Sequence, residues 1–144
     1  MKRRKEGGCE ISRLPEELLS AALSRSLATP QEAARAAIVS RAFRAAADSD
    51  HVWASFLPGG DLPPLASGEL DDPAPSSLSK KEMFLRLSDH LVLLADGLTS
   101  LRLDKKTDAK CYMLSARALS IFRGDKPEFW RWIPHTDCSS RFAY

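Results

Sequence analysis

Apolar side chains near the start of the chain recur at three- and four-residue spacing. Leu14, Leu18, Leu19, Ala22 and Leu23 fall into this rhythm, which predicts an amphipathic helix. Pro15 suits its first turn, and Glu16 and Glu17 complement the helix dipole there. The tetrapeptide Thr29-Pro30-Gln31-Glu32 then restarts the chain: Thr29 can cap, Pro30 fits the first turn and Glu32 completes a capping box. The second helix is expected from Pro30 to about Ala47, with Ala34, Ile38 or Val39, and Phe43 on one side. Asp50 is placed to cap a last short turn that presents Trp53, Phe56 and Leu57.

The pattern changes after that. Residues 58–78 hold five of the nine prolines, three of the seven glycines and four acidic residues with no basic one, the composition of a linker. Ser79 and Glu82 form a second capping box ahead of a short helix carrying Met83, Phe84 and Leu87. Beyond it, "LVLLADG", "TSLRLD" and "KCYMLSARALSIF" alternate or run apolar over lengths typical of strands, separated by turn-formers at Asp96-Gly97 and by the Asp104–Lys110 loop. "GDKPEFWRWIP" reads as a further, aromatic strand. The expected architecture is α+β: a small three-helix module over 10–57, a flexible joint over 58–78, and the beginning of a β domain over 79–144.

Composition narrows the function classes. A hydrophobic fraction of 44% with 28% charged residues fits a soluble globular protein of 144 residues. The formal net charge of +2 is too small for a nucleic-acid surface, and the run Lys2-Arg3-Arg4-Lys5 reads as a solvated tail. Arg35, Arg41 and Arg44 lie on or near one helix, but acids nearly balance the basic residues there, so a DNA-binding helix-turn-helix is disfavoured. No apolar stretch is long enough for a signal peptide or a membrane span, which points to the cytosol or nucleus. Cys9, Cys111 and Cys138 are too few and too widely spaced for a disulfide scaffold. His135 and Cys138 lack the partners a zinc site needs. Cys111 stands in no nucleophile pattern with His51, His90 or His135, so no catalytic residue, metal or cofactor is expected.

The sharpest feature lies in residues 39–58, where an alanine-rich run with Phe43 is followed at once by Trp53, Phe56 and Leu57. Three short helices cannot enclose so many large apolar groups, and an apolar surface of that kind marks a partner site. Leu14-Pro15, then Val39-Ser40-Arg41-Ala42-Phe43, then Trp53 with Phe56-Leu57, resemble an F-box in order and spacing. The resemblance implies docking onto the Skp adaptor of an SCF-type cullin-RING ubiquitin ligase. The expected adaptor surface comprises Leu14, Pro15, Leu18, Leu19, Leu23, Ile38, Val39, Phe43, Trp53, Phe56 and Leu57, with some of these holding the helices together instead.

Residues 79–144, through "SKKEMFLRLSDHLVLL", "LDKKTDAKCYMLSARALSI" and "GDKPEFWRWIP", resemble the phloem-protein-two-like (Nictaba-related) lectin domain that follows the F-box in one plant family. That likeness implies the N-terminal part of a jelly-roll-type β-sandwich, with Trp130 and Trp132 as candidate carbohydrate contacts. Two departures weaken sugar binding: Arg123 stands where the family pattern usually has a Trp, and the chain stops at "SRFAY", where relatives usually continue through further strands. The function expected is a substrate receptor whose second part binds a protein or glycoprotein, with neither nucleic acid nor membrane as partner. A shortened competitor that occupies the adaptor without recruiting a substrate is the alternative.

Overall fold

Pro15 lacks a backbone N–H, and the first helix starts directly behind it. In the computed structural model, which describes residues 11, 14–69 and 75–131, α1 spans Glu16–Ser26 and has Glu16 and Glu17 in its first turn. It turns Leu19 and Leu23, one helical turn apart, inward, while Leu14 and Leu18 stay exposed. α2 (Pro30–Ala37) begins as its sequence predicts: the Thr29 hydroxyl accepts the Glu32 N–H at 3.3 Å, and the Glu32 carboxylate reaches back to the Ala28 N–H at 2.8 Å.

The continuous helix expected from Pro30 to Ala47 is divided. α2 ends at Ala37, and α3 (Arg41–Ala47) starts anew behind Ser40, whose backbone is extended and whose hydroxyl accepts the Phe43 N–H at 3.2 Å. A serine that offers its own oxygen to the chain makes a restart cheap. Asp50 does not cap the following turn either. Ser49 occupies that position before α4 (Asp50–Trp53), and the Asp50 carboxylate accepts the backbone N–H of Lys80 at 2.8 Å, thirty residues away. A 3-10 turn over Ala54–Phe56 completes the helical part.

α5 (Lys80–Asp89) carries the full capping box: the Ser79 hydroxyl accepts the Glu82 N–H, and the Glu82 carboxylate accepts the Ser79 N–H at 2.9 Å. Three antiparallel strands follow in the order β1-β2-β3: Val92–Leu93, Thr99–Leu103 and Lys110–Leu114. Val92 faces Leu101, and Leu101 faces Tyr112 in turn. Both predicted turns are built by aspartates. The Asp96 carboxylate takes the N–H groups of Leu98 and Thr99, beside Gly97 at φ 66°. Asp104 takes those of Lys106 and Thr107.

Two expectations for the β region are corrected. The third apolar run ends as strand at Leu114, because Ser115 opens a 3-10 turn over Ala116–Ala118 and accepts the Arg117 N–H. Residues 122–129 form successive turns instead of an aromatic strand. Arg123 sits at φ 56°, and Pro127 has no N–H for a ladder.

Part of the segment expected as a flexible linker makes defined contacts. Leu65 bridges to Leu94, the Ala66 N–H reaches the Leu93 carbonyl and the Ala95 N–H reaches the Pro64 carbonyl, both at 3.0 Å. This covers the outer edge of β1, and Leu62, Leu65 and Leu78 pack against the interior. One core runs through both parts: Leu19, Ala33, Val52, Trp53, Phe56 and Leu57 join Met83, Phe84, Leu87, Val92, Leu101 and Leu103. The large side chains that three helices cannot enclose are thus roofed by α5 and the sheet.

Candidate docking surfaces and the joint between the two parts

The eleven residues expected on the adaptor surface separate into an inner and an outer set. Leu19, Leu23, Trp53, Phe56 and Leu57 are buried, so their expected place on the surface is corrected. Trp53 is only 5% exposed, and its indole N–H donates to the Ala47 carbonyl at 2.8 Å. Its ring meets Phe56 edge-on at 5.6 Å and Phe84 at 5.3 Å, while Phe56 and Phe84 are 6.2 Å apart. These separations lie in the favourable range for tilted aromatic pairs. Sequence reading missed Phe84 as the third member, because α5 reaches this place only through the tertiary fold.

The outer set is Leu14, Pro15, Leu18, Ile38 and Val39, with Phe43 half-buried beside the core. Ile38 is 78% exposed, Val39 66% and Leu18 59%. Ile38 and Val39 occupy the corner between α2 and α3, where the helix break turns two β-branched side chains to solvent. Leu18 lies near the start of α1, and Leu14 just ahead of the helix. Ile38 and Val39 are neighbours in the chain that are both open to water.

Three aspartates that precede α5 in the chain, Asp48, Asp50 and Asp61, hold its start. Asp50 takes the Lys80 N–H, Asp61 pairs with the Lys80 ammonium at 2.6 Å, and Asp48 pairs with that of Lys81 at 2.6 Å. Lys81 also lies 5.5 Å from the centre of the Trp53 ring. The hydrogen bond from Lys80, helped by the Leu62 N–H, lowers the Asp61 pKa below its ordinary 3.8. The Ser79 N–H and hydroxyl lower that of Glu82. Asp89 is lowered chiefly by a hydrogen bond from Lys105, and Asp96 and Asp104 by the hydroxyls of Thr99 and Thr107 together with backbone N–H groups. These shifts are the work of turns, caps and surface pairs.

Trp130 is half-exposed and donates its indole N–H to the Phe122 carbonyl at 3.1 Å. The Arg123 guanidinium lies 5.1 Å from the Phe122 ring and 5.0 Å from the Phe129 ring, filling the slot between them. The second candidate carbohydrate contact, Trp132, is outside the described residues, as are Cys9, His135 and Cys138. Cys111 is exposed on β3, and His51 and His90 are also exposed. Among the described residues no group of three or more His, Cys, Asp or Glu side chains is arranged to hold a metal ion. Nor is any helix among them long and apolar enough to cross a membrane.

Family comparisons fall on both halves of this arrangement. The F-box-like family matches residues 11–58, and the phloem protein 2 family matches residues 109–144. The chain is 41% identical over 120 residues to the F-box protein PP2-B1 of Arabidopsis thaliana, an alignment that covers 83% of this chain and 33% of that protein. It is 40% identical over 136 residues to the putative F-box protein PP2-B8 of the same plant, covering 94% of this chain and 42% of the relative. Against the putative F-box protein PP2-B12 it is 40% identical over 129 residues, 90% and 47% respectively. The chain therefore spans a third to a half of the length of these relatives. No solved structure matches it. With an F-box over the helices, phloem protein 2 sequence over the last quarter and relatives that join the same two parts, the chain belongs to the plant F-box proteins of the phloem-protein-two-like kind.

Proposed function

We propose that the chain serves as the substrate-receptor subunit of an SCF-type cullin-RING ubiquitin ligase in the cytoplasm or nucleus. Leu14, Pro15, Leu18, Ile38 and Val39 dock on the Skp adaptor, and the C-terminal part faces a protein or glycoprotein substrate. The carrying observation is the exposure of Ile38 and Val39 at the α2–α3 corner, in a module where Leu19, Leu23, Trp53, Phe56 and Leu57 are withdrawn into the core. Burying two such side chains on a partner contributes about 1.5–3 kcal/mol each before association costs. The inner set acts by holding the corner and the start of α1 in place. The polar work of a receptor is positioning, and no group of the fold is required to react.

Binding of the double variant Ile38→Asp/Val39→Asp to a purified Skp adaptor tests this reading. Both side chains project into solvent, so the helical circular dichroism should persist while affinity falls at least about tenfold. Undiminished binding by a folded variant overturns the assignment of the surface. If the unsubstituted chain binds no Skp adaptor at micromolar concentration, the receptor reading itself fails. A chain that binds the adaptor yet increases ubiquitylation of no protein would be the competitor instead.

A further inference from the structure

A cavity of about 470 Å³ lies where the helical part meets α5 and the β2–β3 turn. Its apolar wall includes Ala34 of α2 and Leu85 of α5, both exposed, with Trp53 and Phe84 reaching its base. Its rim carries four cations, Arg44, Lys81, Lys105 and Lys106, against the single carboxylate of Asp48. Lys81 is engaged by Asp48 and Lys105 by Asp89, while the Arg44 Nε donates to the Ala37 carbonyl at 3.3 Å. Lys106 is near enough to Asp104 to help lower its pKa, yet its ammonium has no salt-bridge partner among the described residues. Asp104 holds the Lys106 backbone in the turn through its N–H at 2.9 Å, so the root of this side chain is fixed before any ligand arrives.

We propose that this cavity binds a small organic anion with an apolar body, of the class of aryl-alkyl or medium-chain carboxylates. The cavity's size falls within the range of small-molecule sites. The body would lie along Ala34 and Leu85, and the carboxylate would meet Lys106 and Arg44, which retain donors for it. A neutral ligand would leave the cationic surplus of the rim uncompensated, and an inorganic anion would leave the apolar wall wet. Because the walls come from both parts of the chain, an occupant would also brace the joint between them. None of Leu14, Leu18, Ile38 and Val39 lines the site, and the proposal does not depend on the adaptor reading.

The test uses 4-phenylbutanoate, with 4-phenylbutan-1-ol as its uncharged counterpart, on the full chain carrying Trp130→Phe and Trp132→Phe. Trp53 is then the sole tryptophan, and its fluorescence reports on the base of the cavity. The acid should give a saturable change at about millimolar concentration or below, and the alcohol should bind about tenfold more weakly. Lys106→Gln should weaken the acid about tenfold and leave the alcohol unchanged, and Ala34→Phe should block both by filling the cavity. Isothermal titration of the chain with all three tryptophans should reproduce the acid's affinity, and circular dichroism should show both variants folded. Equal binding of acid and alcohol, indifference to both variants, or no saturable response to the acid would overturn the proposal.

Discussion

Two aromatic clusters, each with a cation beside it, differ in almost everything else. Trp53, Phe56 and Phe84 are buried at the joint, with Lys81 against the Trp53 ring. Phe122, Phe129 and Trp130 are exposed, Phe122 to 81%, with Arg123 lodged between the two phenylalanines. The first trio gathers side chains up to 31 positions apart, whereas the second comes from nine consecutive residues. A cluster made by one short segment has no second layer of chain to exclude water from its outer side. Chain returning from afar supplies that layer, and with it the dense contacts that make an aromatic residue stabilising.

The largest consequence falls on Phe84. Phe84→Ala should destabilise the chain by about 3–5 kcal/mol, the usual cost of emptying a buried phenylalanine site. Trp53→Ala should cost a similar amount, since it also strands the Ala47 carbonyl. Both variants should lose the proposed adaptor binding only as they unfold, unlike changes at Ile38 and Val39. Because Phe84 belongs to α5 and Trp53 to α4, thermal melting should shift helix and sheet signals together in one transition. Melting of α1–α4 at an unchanged temperature in Phe84→Ala would show that the joint is not part of one cooperative unit.

A smaller effect is expected at Asp50, which serves the first turn of α5 from across the joint. Asp50→Ala removes the acceptor of the Lys80 N–H and should cost about 1 kcal/mol in urea unfolding, within the range for lost helix caps. Asp50→Asn keeps an oxygen for that N–H and should recover most of the loss. Equal destabilisation by both would assign the effect to charge rather than to the hydrogen bond.

Much of the local structure was legible in the chain, because caps and turns are written in adjacent residues. Thr29-Pro30, Ser79 with Glu82, Asp96-Gly97 and Asp104 each do what their chemistry predicts. Ser40 was overlooked as a cap because the alanines around it sustain a helical pattern. The aromatic run after Gly124 was misread as a strand because its composition outweighed Arg123 and Pro127, whose backbone demands favour turns. The family motifs marked out the F-box-like region, yet they could not separate its covered from its open side chains. That division depends on α5 lying over Trp53 and on Leu65 meeting Leu94, contacts that periodicity does not encode.

Acid should loosen the joint by a modest amount. Asp61 and Glu82 have pKa values lowered in the fold, by the Lys80 and Ser79 hydrogen bonds respectively. Their contributions are complete above the ordinary carboxylate range and vanish as pH falls through the lowered values. Stability should therefore stay level from pH 7 to about 5 and decline below about pH 4. Asp61→Asn should make that decline shallower. Both carboxylates are solvent-exposed, so the change should be small, and an identical acid slope in the variant would remove Asp61 from the joint's support.

The smallest effect should come from the outer cluster. Phe122→Ala deletes a ring larger than most side chains of the core, yet the ring is 81% exposed and its main neighbour is a guanidinium that water can solvate instead. Stability should change by no more than about 0.5 kcal/mol. The Trp130 N–H binds the backbone carbonyl of Phe122, which the substitution leaves in place, so the turn itself should persist. Measured beside Phe84→Ala in the same urea titration, the pair isolates burial, because the deleted atoms are identical. A loss at Phe122 approaching that at Phe84 would mean that the outer cluster is covered in solution, and the contrast between the two clusters would then fail.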